Sequence, residues 1–393
     1  MPDITFALLG HPANYEHLRQ IAQTSKVFET FEVLPDNKLA LTRLFEMTPA
    51  RAAREDIIAP LSGGSTLRGK MILCSFLPEQ VRSPRGLAAA GKTVREACKL
   101  AHELGAKVAG LGGFTSIVGG AQGESLAREF GLAVTSGNSL TAALALEQLY
   151  TLLTRLGWAL AERPAVIVGA TGDIGRACTL ALAPRVKQLV LIARNRSKLE
   201  ALRDELALPE GAGLALAQDR GTGATTRVSP TASNIQISAN PHEAYSADIV
   251  ITATSSGQAI LAEAGLRSGA IVCDIGYPDT ITLSPEPRRD VIIFSGGMAE
   301  TPFALNIERY TGLPSPRLLH GCFSETIVLA MSDRFENYSV GQGNITPERM
   351  QAILELAKSH GFRPAPLYRG DSLIADKSLE VFTTETQSRR YWK

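Results

Sequence analysis

Six short apolar runs recur in the middle of the chain: AVIVGA from Ala165, QLVLIAR from Gln188, NIQIS from Asn234, ADIVITAT from Ala247, GAIVCDIG from Gly269 and DVIIFSGG from Asp290. Each is bounded by turn residues and too short for a helix that must bury a face, so each reads as a strand. The stretches between them are long enough to cross over from one strand to a parallel neighbour. Such a series is expected to fold as an α/β domain with a doubly wound, mostly parallel sheet. No other feature restricts the fold as tightly.

The first run passes into Gly169-Ala170-Thr171-Gly172-Asp173-Ile174-Gly175 and then into a helical pattern. Glycines allow the tight turn and let the backbone approach a pyrophosphate, which the following helix N-terminus attracts. A glycine triplet alone is weak evidence, because glycines also serve plain turns. The strand before it and the helix after it identify a Rossmann dinucleotide-binding domain, expected over 161–300. Gly169, Thr171, Gly172, Asp173, Ile174 and Gly175 are the residues expected at the phosphates. The second strand ends Ala193-Arg194-Asn195-Arg196, with no acid to accept from a ribose 2′-hydroxyl. A guanidinium forks onto a 2′-phosphate, so Arg194, Asn195 and Arg196 point to NADPH. Thr254, Gly276 and Gly297 are further cofactor candidates.

Residues 1–160 read as a second α/β lobe that would hold substrate. Strand-like runs lie at 5–10, 70–76, 107–113 and 132–137. Ser83-Pro84 resembles a cap with proline at the first helical position, starting a helix that Gly105 stops. The apolar-periodic stretch 139–158 is expected to bridge the lobes. Residues 301–393 return to helix: 322–335 is apolar-periodic, Thr346-Pro347-Glu348 starts another helix, and little pattern follows Pro366. The Gly-, Ala- and Thr-rich segment 208–233 reads as a long surface connection.

Composition excludes several classes. The 393 residues allow two or three domains, and a formal charge of +1 gives no bulk attraction for nucleic acid. No run approaches 18 apolar residues, so no transmembrane segment is expected. The start MPDITFALLGHP lacks the basic and apolar regions of a signal peptide. Five scattered cysteines with no CxxC pair and no zinc-like spacing imply a reduced, cytoplasmic protein without a metal.

One cysteine stands apart. Cys322, in LLHGCFSETIVLAM, opens a helical pattern just after Gly321. Unpaired N–H groups and the helix dipole stabilise a thiolate there, which would make it a nucleophile. His320 and Glu325 lie close enough in sequence to handle its proton. The residues alone leave open a cysteine that merely packs as a small hydrophobe. Cys178 and Cys273 read as core, Cys98 lies on a helix among charged residues, and Cys74 lies in an apolar strand.

Seven segments then combine: LGGFTSI (111–117), TSGNSLTA (135–142), VGATGDIG (168–175), ARN (193–195), GYP (276–278), GGMAE (296–300) and CFSE (322–325). With NYSVGQGNIT and HGFRP, this ordered set resembles the cyanobacterial-type long-chain fatty acyl-[acyl-carrier-protein] reductases. The resemblance implies NADPH-dependent reduction of an acyl thioester to the fatty aldehyde. It makes Cys322 the residue that carries the acyl group as a thioester, with Glu325 beside it in CFSE, whereas that family has a small residue where His320 stands. It also implies an acyl carrier protein as partner, with coenzyme A as an alternative donor and an aldehyde-consuming enzyme downstream as a second partner to consider. The acyl chain would lie in an apolar cleft between the lobes, near Gly113, Phe114, Thr115, Ser116 and Asn138. The connection at 208–233 and the tail after Pro366 are longer than that family needs. ADIVITATSSG (247–257) instead resembles shikimate dehydrogenases and glutamyl-tRNA reductases. The alternative enzyme is therefore a shikimate- or quinate-type dehydrogenase without covalent catalysis, but its Lys–Asp pair has no clear counterpart. A glutamyl-tRNA reductase would place its nucleophile in the N-terminal lobe and favour a more basic chain. A third alternative is a non-enzymatic NADP-binding scaffold, against which Cys322, intact together with the glycine loop and the NADP-type strand end, counts.

Overall fold

The computed structural model describes residues 3–24, 37–120, 122–207, 234–277, 279–341 and 344–388. Two compact units divide the chain. One comprises Met1–Thr141, Met298–Asn344 and Ile353–Arg363, the other Ala142–Gly297, Ile345–Ala352 and Pro364–Lys393. Residues 301–393, expected as one helical segment, are thus shared between the two units.

In the first unit β1 (Phe6–Gly10) is central and fully buried. It pairs in parallel with β4 (Thr66–Leu73) and β5 (Val108–Leu111), and β5 pairs in parallel with β6 (Ala133–Thr135). Two antiparallel strands, β2 (Arg51–Ala52) and β3 (Ile57–Pro60), pair with β4 and have no counterpart in the sequence reading. They are two and four residues long, too short for alternation to register, although Ile57 and Ala59 do point inward. The helices are α1 (Tyr15–Thr24), α2 (Lys38–Met47), α3 (Pro84–Glu103), α4 (Phe114–Gly120), α5 (Gly123–Phe130) and α6 (Asn138–Arg155), and the division between units falls inside α6. The Ser83 hydroxyl accepts the Gly86 N–H at 3.1 Å and caps α3. Ala90, Val94, Ala97, Cys98 and Ala101 then form its buried face, at the spacing a helix requires.

The second unit carries the six expected strands: β7 (Pro164–Val168), β8 (Gln188–Ile192), β9 (Ile235–Ser238), β10 (Ile249–Thr252), β12 (Ile271–Asp274) and β14 (Ile292–Ser295). Between them β11 (Leu261–Ala262) and β13 (Ile281–Thr282) form a separate parallel pair. The six run parallel in the order β14-β12-β10-β7-β8-β9, which is the doubly wound arrangement of two βαβαβ halves. Residues on both faces of β7 are buried, as for a strand covered by helices on either side. Two of those helices are α7 (Asp173–Leu182) after β7 and α8 (Arg196–Leu206) after β8. The connection 208–233 lies outside the described residues.

After the Rossmann sheet, β15 (Met298–Glu300) and β16 (Leu318–His320) pair antiparallel, with α9 (Glu308–Thr311) between them. Then come α10 (Gly321–Met331), α11 (Pro347–Ser359) and α12 (Asp376–Ser388). Phe323 through Ala330 are all buried, so α10 is a core helix and not the half-exposed one its periodicity suggests. The tail after Pro366 is also more ordered than its pattern implies: Tyr368–Arg369 and Ser372–Leu373 form a hairpin, and α12 buries Leu379 and Phe382. Two apolar anchors over three turns are too few to draw a stripe in the sequence. No helix among the described residues is long and apolar enough to cross a membrane.

Candidate active site

Cys322 occupies the second position of α10, where backbone N–H groups lack partners within the helix. Three glycines let this turn approach the sheet. A Cβ on Gly137 would overlap the Cys322 α-carbon, one on Gly112 the Phe323 ring, and one on Gly110 the Thr326 hydroxyl. Gly110, the first glycine of LGG and the glycine of TSG thus clear the path of α10. Gly137 also has φ +69°, the left-handed region that glycine enters without strain.

Among the five cysteines only Cys322 retains partial exposure, and the other four are buried. The N–H groups of Gly113, Phe323 and Cys322 itself face its sulfur and favour the thiolate, as the sequence leads one to expect. Burial outweighs them and pushes the thiol up to about 11. The expected net activation is therefore absent before substrate arrives. The helix terminus offsets part of a desolvation penalty that a sequence cannot display.

Glu325, one turn further on, is fully buried. Its Oε2 accepts the Leu140 N–H at 2.9 Å and the Ser339 hydroxyl at 3.1 Å, and its Oε1 accepts the Thr135 hydroxyl. Ser339 is held at φ +54°, a strained setting for a serine, and its oxygen also accepts the Ser139 N–H at 3.1 Å. This carboxyl group therefore ties α10 to the start of α6 and to the loop at 338–339. Thr135, Ser139 and Ser339 were not singled out in the sequence. The buried polar repeat in TSGNS and NYS was the available signal.

His320 ends β16, and its Nε2 faces the Thr311 carbonyl at 3.2 Å. Burial holds its pKa below the ordinary value, so the ring is neutral near pH 7. The other residues proposed for substrate separate into groups. Gly113 presents its N–H to Cys322. Phe114 and Thr115 are buried, and the Thr115 and Ser116 hydroxyls in the first turn of α4 donate to the Gly112 and Gly113 carbonyls at 2.8 and 2.7 Å. Asn138 is half-buried beside Gly137.

In the second unit the glycines of the loop differ in role. Gly169 has φ +89° and would place a Cβ 2.5 Å from the Ala253 carbonyl oxygen, and a Cβ on Gly175 would overlap the Gly169 carbonyl. Both are required by the turn. Gly172 has ordinary backbone angles, is exposed, and has no atom nearer than 3.4 Å to a Cβ built on it. Its missing side chain leaves open space at the N-terminus of α7, which no side chain caps. Thr171 and Ile174 are half-buried on this loop, with Asp173 exposed. Arg194 is exposed and makes no ion pair among the described residues, whereas Arg196 pairs with Glu200 at 2.9 Å. Asn195 caps α8, its Oδ1 accepting the Lys198 N–H at 3.0 Å. Thr254 follows β10 and is half-buried. Gly276 and Gly297 have their N–H groups committed, to Asp274 at 3.0 Å and to Gln148 at 2.9 Å.

No protein-family model matches the sequence. The chain is 28% identical over 377 residues to the long-chain acyl-[acyl-carrier-protein] reductase of Synechococcus elongatus, an alignment covering 92% of this chain and 99% of that protein. It is 32% identical over 269 residues to aminotransferase PigE of a Serratia species, covering 67% of this chain and 29% of that much longer protein. Among solved structures, quinate dehydrogenase from Corynebacterium glutamicum in complex with NAD is 13% identical, with a TM-score of 0.31 over 89% of this chain and 98% of that one.

Proposed function

We propose that this chain is a member of the acyl-carrier-protein reductase family and reduces a fatty acyl thioester to the aldehyde with NADPH, through an acyl group held on Cys322. The observation that carries the reading is the setting of that sulfur: it belongs to the one cysteine of the five that is not fully buried, at a helix N-terminus, with backbone N–H groups that favour its thiolate. Sequence similarity over 99% of the cyanobacterial reductase supports the same assignment. NADPH fits the second unit, where Gly172 and the uncapped α7 would receive the pyrophosphate and Arg194 the 2′-phosphate.

Chemically, the Cys322 sulfur attacks the carbonyl carbon of the carrier thioester. Its proton leaves with the carrier thiol, which suits a thiol that is protonated at rest. Backbone N–H groups at the start of α10 would stabilise the oxyanion of this step and of the next. NADPH, when bound, supplies a hydride to the acyl carbon. The resulting thiohemiacetal takes up a proton at oxygen, the carbon–sulfur bond breaks, and the aldehyde leaves with the Cys322 thiol restored. Glu325 acts by positioning α10, and His320, neutral and within the same turn, is the group assigned to proton transfer.

Intact-mass measurement tests the reading. Protein incubated with long-chain acyl carrier protein in the absence of NADPH should gain one acyl mass, and added NADPH should discharge it as aldehyde. Cys322→Ala should gain none. A wild type that never acquires the mass, with carrier protein or coenzyme A as donor, would refute the covalent route.

A further inference from the structure

Asp274 ends β12 in the second unit and is buried, as are Thr252 at the end of β10 and Thr280 in the loop that follows β12. Its carboxyl group gathers these elements. Oδ1 accepts the Thr252 hydroxyl at 2.6 Å, the Gly276 N–H at 3.0 Å and the Thr280 hydroxyl at 2.7 Å, and Oδ2 accepts the Thr280 N–H at 2.9 Å. The adjoining backbone is fixed as well. The Ile275 N–H donates to the Thr252 carbonyl at 2.8 Å, and the Asp274 carbonyl accepts the Gly296 N–H at 2.7 Å.

The bond to Gly276 orients one peptide plane. In a trans peptide the N–H and the preceding carbonyl point opposite ways, so the Ile275 carbonyl is turned away from the Asp274 carboxyl group. Among the described residues no N–H or hydroxyl donates to it. Strand order fixes its place. With the pyrophosphate assigned to the loop after β7 and the 2′-phosphate to Arg194 after β8, the other half of the dinucleotide must extend to the opposite side of β7, over β10 and β12. Neighbouring strands lie about 4.8 Å apart, which sets the end of β12 about 10 Å from that of β7, a separation one mononucleotide can span.

We propose that Asp274 is a positioning residue for the nicotinamide half of NADPH: by holding the Gly276 N–H it aims the Ile275 carbonyl at the carboxamide, whose N–H donates to it. A held carboxamide fixes the rotation of the ring about its bond to the ribose, and with it the ring face that is presented. The inference rests on the reading of the second unit as the NADPH site and is independent of the covalent step at Cys322.

Three ligands separate the halves of the cofactor in calorimetric titrations. They are NADP+, its 3-acetylpyridine analogue, in which a methyl group replaces the amide nitrogen, and 2′,5′-ADP, which has no nicotinamide half. Loss of one hydrogen bond weakens binding by about three- to tenfold, so the wild type should hold NADP+ that much more tightly than the analogue. Asp274→Ala releases the peptide and should bind the two alike, with 2′,5′-ADP unchanged. Asp274→Asn keeps an acceptor for Gly276 and should discriminate as the wild type does. A purely structural role would instead weaken all three ligands together. The wild-type comparison needs no variant: equal affinity for NADP+ and the analogue, in a protein that binds 2′,5′-ADP, overturns this inference and leaves the NADPH reading standing. Discrimination kept by Asp274→Ala, discrimination lost in Asp274→Asn, or a loss of 2′,5′-ADP in step with NADP+ also overturns it. A wild type that binds none of the three refutes the NADPH reading and this inference with it.

Discussion

The α-carbon of Cys322 lies where a side chain on Gly137 would have to stand. Gly137→Ala would meet two penalties, the overlap with α10 and a left-handed backbone at φ +69°. Together these should destabilise the first unit by about 2–4 kcal/mol. Gly131 supplies the control, since it shares the left-handed conformation at φ +60° but has nothing within 4 Å of a built Cβ. Gly131→Ala should cost only about 1 kcal/mol. Urea unfolding of the two variants checks the difference. Equal losses would show that the close approach to Cys322 contributes nothing.

The dinucleotide loop yields a similar contrast. Gly172→Val has room and permissible backbone angles, so unfolding should shift by under about 1 kcal/mol while NADPH binding is lost to the blocked pyrophosphate. Gly175→Val would drive its side chain into the Gly169 carbonyl and should destabilise the second unit by about 3 kcal/mol or more. Calorimetric titration and thermal unfolding, run on both, separate a ligand cradle from a turn requirement. Undiminished binding by Gly172→Val would remove this loop from the cofactor site.

Legibility differed between the two units for a physical reason. Six apolar runs covered on both faces advertise themselves in sequence, and all six strands were found at the expected places. The short edge strands β2 and β3 carry too few residues to show a period, and their pairing depends on β4. At the site, the position of Cys322 at a helix start was readable from the break at Gly321 and the apolar run after it. The rise of its thiol to about 11 was not, because desolvation depends on what packs around the sulfur. The contacts of His11, Thr135 and Ser339 were hidden for the same reason. His11 reaches Phe114 across more than a hundred residues, and Ser339 reaches Ser139 across two hundred.

Cofactor choice turns on one guanidinium. Arg194 follows β8 and makes no ion pair among the described residues, while Arg196 already engages Glu200. Arg194→Ala should weaken NADPH roughly 10- to 150-fold, the range expected when a charge-assisted contact is lost, and leave NADH nearly unchanged. Arg196→Ala should have the smaller effect on NADPH. Parallel titrations with both cofactors make the measurement. Equal losses for NADPH and NADH would place the arginine away from the 2′-phosphate.

Glu325 distinguishes a proton carrier from a structural anchor by the replacement it tolerates. Its Oε2 takes two donors, Leu140 N–H and the Ser339 hydroxyl, while its Oε1 meets a Thr135 hydroxyl that also lies against the Tyr338 carbonyl. A glutamine can set its carbonyl oxygen in place of Oε2 and donate from its nitrogen to the Thr135 oxygen, whose own proton then goes to Tyr338. Glu325→Gln should therefore fold with a loss of about 1 kcal/mol, whereas Glu325→Leu leaves the buried Leu140 N–H without an acceptor, turns the Thr135 and Ser339 hydroxyls to the Tyr338 carbonyl and to Ser139 alone, and should lose about 3 kcal/mol. The negative charge of Glu325 also pushes the Cys322 thiol upward. Its removal should lower that thiol, so Glu325→Gln should alkylate at Cys322 faster than wild type at the same pH. Adduct formation with an acyl donor should survive, along with most of the turnover. A Glu325→Gln protein that folds, binds NADPH and forms the adduct, yet releases no aldehyde, would instead make Glu325 the proton carrier and leave His320 without that role.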